Sequence, residues 1–251
     1  MQEVHVALSA EKLFSIGPFP VTNSILTTWI VTLLLIAFTF FATKKIQAVP
    51  GFLQNIAESM VEAFQDLVSS VAGEKTKVFL PIVTTFFFFI IVGNYFGLLP
   101  GVGSVGFFET PPAGGDGQKV FVPFFRSINS DLNTTLALAL VSVFATHYPS
   151  IKYLGLGGYL GKFFSLNPIF LFVGLLEIIS EITKLFSLSF RLFGNVFAGE
   201  VLLTTASTKL FAYIVPIPFY FLELLVGFVQ ALIFAMLTLV FMVILTQKSA
   251  H

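Results

Sequence analysis

Five ionisable side chains interrupt one otherwise apolar stretch of this sequence, between positions 177 and 203. They are Glu177, Glu181, Lys184, Arg191 and Glu200. On a helix, which turns by about 100° per residue, the first four of them and Asn195 fall within about 40° of one line. Glu200 lies roughly 140° away from that line. The pattern predicts a helix with one narrow polar stripe and a separate acid that faces a different neighbour.

Arg191 is the member of this stripe that a structural role explains least well. An arginine at the centre of a bilayer costs about 3 kcal/mol on insertion scales, and its charge is permanent. Positions 187, 188, 194 and 195 are Ser, Leu, Gly and Asn, so no acid stands three or four residues away. We therefore expect the charge of Arg191 to meet a carboxylate from elsewhere, or to line a wet cavity.

The lysine and the two earlier acids have a simpler alternative. Lys184 can form an ion pair with Glu181 at a spacing of three residues, and Glu177 can reach the membrane interface together with Glu181. Structural ion pairing and a role on an inner ion path both remain open for these acids.

A second polar pair lies in the last apolar run, where Glu223 and Gln230 stand seven residues apart on one helix face. If that run pairs with the first stretch so that Gln230 is level with Arg191, Glu223 lies about 10 Å outward of the arginine. Glu200 then lies about 13 Å outward, and Glu177 about 21 Å inward. Acids on both sides of a lone arginine suit two ion-conducting half-paths, because a fixed positive charge repels a passing cation at low dielectric.

The composition places these residues in a membrane. The chain has 251 residues, of which 56% are hydrophobic and 10% charged, whereas soluble domains average about 25% charged residues. An all-α integral membrane protein is predicted, because lipid offers no partner to an unpaired backbone group. Thirteen basic and thirteen acidic residues balance, which gives no indication of nucleic acid binding. With no cysteine and three widely separated histidines, neither a metal site nor thiol chemistry is expected.

About five transmembrane helices and one amphipathic helix are expected to position the polar residues in a single membrane domain. The runs long enough to span about 30 Å of hydrocarbon are 24–43, 78–99, 132–149, 168–207 and 219–246. The run 168–207 would be about 60 Å long as one helix, so it must be strongly tilted. No proline or paired glycine interrupts 169–207, which favours one long helix, and Pro216 and Pro218 would then close a hairpin.

Two further segments lie between these runs. Over 51–72, apolar residues recur every three or four positions and acids fall opposite, which predicts an amphipathic helix packed at the membrane surface or, less favoured, docked on a partner. The segment 100–131 is rich in Gly and Pro and reads as a loop outside the hydrocarbon. No strand leads into its glycines, so no phosphate or nucleotide site is expected there.

The distribution of basic residues predicts the orientation. Placing Lys44 and Lys45 inside gives seven lysines in inner loops and the tail against four basic residues outside, which favours an outer N-terminus and a cytoplasmic C-terminus. The N-terminus lacks the pattern of a signal peptide, so the first helix is expected to direct its own insertion.

The sequence around Arg191 resembles subunit a of the F-type ATP synthase family, the stator subunit of that membrane sector. The resemblance is carried by FSLSFRLFGNVFAGEVLL at 186–203 and FVQALIFAMLT at 228–238. GNYFGLLPG at 93–101, SDLNTTLALAL at 130–140 and HYPSIKYLGLGGYLGKFF at 147–164 also resemble family segments, the bacterial branch more closely than the mitochondrial. The similarity extends from about residue 20 to 247 and is most specific at Arg191.

The resemblance implies a subunit beside a ring of small hairpin subunits, each with a membrane carboxylate. Arg191 would attract that carboxylate and prevent a short circuit between two offset half-channels for H⁺ or Na⁺. The other implied path residues are Glu200, Glu223, Asn195 and Gln230 on the outer side and around the arginine, and Glu177 and Glu181 on the inner side. Many bacterial members have an acid near Gly97, so an outer-channel role at that position does not carry over.

Further partners follow from the resemblance: the peripheral-stalk b subunits and the lipid of a bacterial plasma (inner) membrane. The chain would bind no nucleotide and no cofactor, and would not be an enzyme by itself. The alternative is a stand-alone ion-coupled transporter or channel, which is less favoured because the sequence has no internal repeat and no Gly/Pro break near Arg191. A structural membrane anchor would not need a lone arginine.

Overall fold

The computed structural model describes residues 10–109, 120–163, 168–209 and 216–247. Within these ranges the chain forms six helices: α1 Asn23–Thr43, α2 Phe52–Ala72, α3 Thr76–Gly97, α4 Leu132–Phe163, α5 Pro168–Lys209 and α6 Pro216–Leu245. The all-α membrane fold expected from the composition is therefore confirmed. Two small antiparallel hairpins, which the sequence analysis did not anticipate, add strands β1 Lys12–Ile16, β2 Phe19–Thr22, β3 Gly106–Glu109 and β4 Val120–Pro123.

Four stretches in the described part of the chain are long and apolar enough to cross a membrane. They are Asn23–Thr43, Phe52–Gly97, which joins α2 and α3, Leu132–Gly161 and Pro216–Leu245. Helix α5 is not among them, although its 42 residues form the longest helix. Because α5 carries the five ionisable side chains of 177–203, its place in a membrane depends on how those charges are compensated.

Helices α4 and α6 differ from their expected bounds in ways that proline and glycine explain. Helix α6 begins at Pro216, because proline is tolerated in the first turn; the expected hairpin turn over 210–215 lies outside the described residues. Helix α4 continues past its expected end at 149, because Pro149 stays within the helix. The break comes instead at Gly155, whose φ of 72° glycine adopts without steric cost.

Helix α2 buries few side chains, and Phe64 is the one among them that belongs to the predicted apolar line. Its buried side chains are Gln54, Phe64 and Val68, and Phe64 packs on Phe87 of α3 with ring centroids 4.6 Å apart. Most of the predicted apolar stripe is exposed instead, namely Leu53, Met60, Leu67 and Val71. In a membrane protein these side chains can face lipid, so the amphipathic pattern does not by itself identify the core-facing line.

The contacts divide the chain into two compact units. The first comprises Met1–Phe38, Phe89–Thr135 and Leu192–Gln230, and the second Thr39–Phe88, Leu136–Arg191 and Ala231–His251. Five of the six helices contribute residues to both, and only α2 belongs wholly to the second.

In the first unit Asp131 starts helix α4 and ties it to α1. Its Oδ1 accepts a 3.3 Å hydrogen bond from the backbone N–H of Asn133, as a helix N-cap does. Its Oδ2 accepts one of 3.1 Å from the Ser24 hydroxyl at the start of α1. The buried carboxylate of Asp131 thus fixes the first turns of two helices that are 107 residues apart in sequence.

In the second unit, small hydroxyl side chains hold α4 against α6. The hydroxyls of Ser142 and Thr238 are 2.7 Å apart, and the Ser150 hydroxyl donates a 2.6 Å hydrogen bond to the carbonyl of Leu245. Small residues let helices approach closely in a membrane and hydrogen-bond across the interface. These contacts position the part of α4 that carries His147.

We predict that Asp131→Ala destabilises the chain by about 1–3 kcal/mol, because both the cap and the bond from Ser24 are lost. Asp131→Asn retains one acceptor oxygen, which can still cap the N–H of Asn133, and should cost less than Asp131→Ala. Thermal unfolding of the detergent-solubilised chain, followed by circular dichroism, measures both variants. Equal unfolding temperatures for Asp131→Ala and the parent chain would contradict this role.

Candidate functional site

A cavity of about 450 Å³ collects the polar side chains of the first unit. It is lined by both acids that were expected at one depth, Glu200 of α5 and Glu223 of α6, and also by Asn94 of α3 and Arg126 from the segment before α4. Glu11 also lines it, so three carboxylates, one guanidinium and one amide converge on a space large enough for several water molecules.

Arg126 holds Glu200 in a two-pronged ion pair. Its Nε lies 3.2 Å from Oε1 of Glu200 and its Nη2 lies 3.2 Å from Oε2. The arginine side chain is 5% exposed and that of Glu200 is 28% exposed, so the pair lies at the cavity wall with the carboxylate toward the open space. Such paired, charge-assisted bonds are among the strongest polar contacts in proteins.

Sequence reasoning missed Arg126 as a site residue and counted it only as a basic group of an outer loop. The signal that could have found it is the one that singled out Arg191: a lone arginine in an apolar setting, here FVPFFRSIN at 121–129. The sequence does not identify the partner of Arg126, because Glu200 lies 74 residues further along the chain.

Glu223 is the second carboxylate of this cavity and the more deeply buried one, at 7% exposure. Among the described residues it makes no hydrogen bond or ion pair, and its neighbour Glu200 is already occupied by Arg126. Its carboxylate lies directly over Gly199, where a Cβ atom would overlap both oxygens. Gly199 therefore provides the space that the carboxylate of Glu223 occupies between α5 and α6. The carboxylate faces the cavity, where it can exchange a proton with water.

Asn94 links α3 to the helix that carries Glu223. Its Nδ2 donates to the carbonyl of Gly227, 3.1 Å away, and its Oδ1 accepts from Asn129 Nδ2 at 2.7 Å. One turn further along α3, a Cβ on Gly97 would collide with Ser127. The close passage of the loop at Ser127 is thus the physical reason for glycine at 97, since no acidic side chain would fit there.

A second, more open cavity of about 430 Å³ lies in the second unit. Its polar lining includes Arg191, Lys184, Ser187, Ser180 and Thr183, all on α5. The guanidinium of Arg191 is exposed, and its Nη2 lies 3.4 Å from the Ser187 hydroxyl. Within the part of the chain that the structure describes, no carboxylate pairs with Arg191.

Lys184 forms the ion pair with Glu181 that its spacing suggested. Its Nζ is 2.7 Å from Oε1 of Glu181 and 3.9 Å from Oε1 of Glu177. The two acids lie beside this cavity's lysine, and neither is part of the cavity lining. The predicted inner-side acids are therefore brought together with a cation.

His147 of α4 lies close to one of these acids. Because α4 continues beyond Pro149, His147 lies within the helix, and its Nε2 is 3.7 Å from Oε2 of Glu181. Asn195 is exposed and Gln230 half-buried, and neither lines one of these two cavities.

A comparison with protein families matches residues 25–243 to the model of the ATP synthase A chain. The chain belongs to the ATP synthase A chain family. It is 34% identical over 230 residues to ATP synthase subunit a of Moorella thermoacetica, covering 92% of this chain and 93% of that relative. Subunit a 2 of a Bradyrhizobium species is 36% identical over 236 residues, with 93% of each chain covered. Subunit a of Gloeobacter violaceus is 35% identical over 235 residues, covering 93% of this chain and 87% of the relative.

Membership of the ATP synthase A chain family confirms the function expected from the residues around Arg191. The chain is an ion-translocating stator subunit in the membrane sector of an ATP synthase complex. It is a non-catalytic subunit, and it is an integral membrane protein.

We predict that Gly199→Ala slows ATP-driven ion pumping by about 10- to 100-fold, because a Cβ at 199 displaces the carboxylate of Glu223 from its position. Pumping is measured in vesicles that carry the assembled complex. Gly157→Ala is the matched control, since a Cβ at 157 meets nothing within 4 Å. Equal pumping rates for the two variants would contradict the positioning role of Gly199.

Proposed function

We propose that this chain supplies two offset half-channels to a ring of carboxylate-bearing rotor subunits, with Arg191 as the charge that keeps the channels apart. Ions enter by an outer half-channel, neutralise a ring carboxylate, travel with the ring and leave by an inner half-channel. The observation that carries the proposal is the exposed guanidinium of Arg191 on a cavity wall, which no carboxylate of the described residues meets.

The surroundings of Arg191 support a partner on another subunit. Every other ionisable side chain of the 177–203 stretch has an oppositely charged neighbour within 4 Å, as Glu177 and Glu181 have Lys184 and Glu200 has Arg126. Among the described residues, the polar neighbour of Arg191 is a serine hydroxyl. A permanent charge left exposed on a membrane helix requires compensation, and a rotor carboxylate that arrives without its ion would provide it.

The cavity of the first unit has the chemistry of the outer half-channel. Arg126 keeps Glu200 occupied and fixed in orientation, which leaves Glu223 as the carboxylate able to take an ion from the cavity. Asn195 and Gln230 fit polar positions of the outer path and of the region around the arginine.

The cavity that Arg191 lines has the chemistry of the inner half-channel. Glu177 and Glu181 stand beside it with Lys184, so that ions leaving the ring meet a charged, hydrated exit. The orientation that matches these roles has the N-terminus outside and the C-terminus in the cytoplasm of a bacterial plasma membrane, as the lysine distribution favours.

The partners in this proposal are the rotor ring and the peripheral-stalk b subunits. Helix α5 exposes large apolar side chains along its length, including Leu175, Ile179, Ile182, Phe186 and Phe190. These side chains lie about 100–180° around the helix from Arg191, so they can face lipid. Val173, Leu176 and Leu202 are also exposed and share the side of Arg191, and this side fits a sliding contact with apolar ring helices.

We predict that Arg191→Ala abolishes ATP-driven ion pumping, while ATP hydrolysis by the catalytic sector continues, because the charge that separates the two half-channels is lost. Pumping in inverted vesicles and hydrolysis by the same preparation are measured together. Ser187→Ala, which removes the neighbour of Arg191 but no charge, should retain pumping within about 3-fold. Undiminished pumping by Arg191→Ala would refute the assigned role.

The isolated chain distinguishes this role from that of a self-sufficient channel or transporter. Reconstituted alone in liposomes, it should conduct little, because the matching carboxylate belongs to another subunit. Robust ion flux by the isolated chain would support the stand-alone alternative instead.

We predict that Glu223→Gln and Glu200→Gln each slow pumping on the order of 10-fold without abolishing it, because water in the cavity still delivers ions more slowly. Glu223→Gln should have the larger effect, since a glutamine amide oxygen at position 200 would still accept a hydrogen bond from Arg126. Initial pumping rates in the same vesicles compare the two variants. A larger loss in Glu200→Gln than in Glu223→Gln would reverse the assignment of the exchanging carboxylate.

A further inference from the structure

His147 makes a contact within α4 that a straight helix would not allow. The Nδ1 of His147 lies 3.0 Å from the hydroxyl of Tyr159, and the two rings meet edge to face with centroids 5.8 Å apart. Twelve residues along a continuous helix span about 18 Å. The break at Gly155, with a φ of 72°, redirects the last part of α4 and brings the phenol to the imidazole.

The other nitrogen of His147 faces helix α5. Its Nε2 is 3.7 Å from Oε2 of Glu181, whose Oε1 accepts a 2.7 Å hydrogen bond from Lys184 Nζ. Lys184 also lies 3.9 Å from Glu177 and 4.8 Å from the ring centre of Phe241 on α6. In the described residues, the charged or titratable groups around the imidazole are thus Tyr159 from α4 and Glu177, Glu181 and Lys184 from α5, with an aromatic ring from α6.

The cluster of His147, Glu177, Glu181 and Lys184 can bind one proton without acquiring a net positive formal charge. With a neutral imidazole, two carboxylates and one ammonium sum to one negative charge. When His147 binds a proton, the sum becomes zero. Histidine is the side chain whose charge changes most readily near neutral pH, so the cluster alternates between two states that differ by one proton.

The cluster adjoins the cavity that contains the essential arginine. Lys184 lines that cavity together with Arg191, and Glu181 connects the lysine to His147. The 3.7 Å gap between Nε2 and Oε2 is longer than a hydrogen bond, and one water molecule or a small side-chain rotation can close it. The His147 side chain is 20% exposed, which gives it access to solvent.

We propose that His147 and Glu181 form a proton-holding station on the inner half-path, where Lys184 and Tyr159 fix the two groups in position. The inference rests on the proposed function, and it makes the proton the ion handled on this side. In the direction of ATP-driven pumping, a hydronium ion of the medium gives its proton to Nε2 of His147 and becomes water. The imidazolium then gives the proton, through water in the cavity, to a rotor carboxylate and becomes neutral again. The net change is one proton moved from the medium to the rotor carboxylate, and only N–H and O–H bonds form and break.

The test uses inverted vesicles with the assembled complex, in which the inner path opens to the medium. An uncoupler prevents a gradient, and the medium contains no added sodium. The rate of ion-coupled ATP hydrolysis is measured between about pH 6 and about pH 8.5 for the parent complex, His147→Ala and His147→Gln. Each rate is divided by that of the detached catalytic sector at the same pH, which removes the pH dependence of the catalytic sites.

We expect both variants to match the parent complex at the acid end and to fall about 10-fold below it at the alkaline end, where protons are scarce and collecting them limits turnover. Added imidazole should restore His147→Ala at the alkaline end, whereas an equal concentration of choline chloride should not. Tyr159→Phe should give a smaller loss, since it removes only the contact that orients the ring. Tyr148→Phe, at an exposed neighbouring position, is the matched control and should follow the parent profile.

Three outcomes would overturn the proposal: a variant profile identical to that of the parent, a loss that is uniform across pH and not restored by imidazole, or parent turnover that follows sodium rather than pH. Arg191→Ala in the same vesicles separates this inference from the proposed function. If Arg191→Ala continues to pump, the proposed function fails. If it stops pumping while His147 variants behave as the parent, only the proton station fails.

Discussion

A charge carried into a bilayer must be compensated, and helix α5 is organised by that constraint. Three of its charged side chains have three different kinds of polar neighbour. Lys184 is satisfied within the helix by Glu181, and Glu200 is satisfied by Arg126, which comes from a loop far away in sequence. Arg191 is left on a cavity wall with a serine hydroxyl. The contacts of Lys184 and Glu200 are structural, whereas the proposed function assigns the partner of Arg191 to another subunit.

The position of the charged side chains also depends on small residues at the helix contacts. Gly199 provides the space in which the carboxylate of Glu223 lies, and Gly97 lets the loop at Ser127 pass close to α3. Serine and threonine hydroxyls then fix α4 to α6 without adding charge. Glycine and hydroxyl side chains therefore decide how near the helices come, and the helix spacing decides which acids share a cavity.

Much of this arrangement could be predicted from the sequence, because it depends on local periodicity. The unbroken length of α5, its polar stripe and the ion pair of Lys184 all follow from spacing along one helix. Arg126 and His147 could not be placed in the same way, since their partners stand 74 and 34 residues away. The path of α4 could not be predicted from the apolar pattern either: the apolar run ends at 149, whereas the helix continues through Pro149 to a break at Gly155.

The break at Gly155 also bears on the fit of this chain to its membrane. Without it, the 32 residues of α4 would form a rod of about 48 Å, far longer than a hydrocarbon layer of about 30 Å. The part before Gly155 has a rise of about 35 Å, which a modest tilt accommodates. The backbone torsion at Gly155 thus sets the hydrophobic thickness that matches α4. It thereby also determines which lipid layers the chain can span without distorting them.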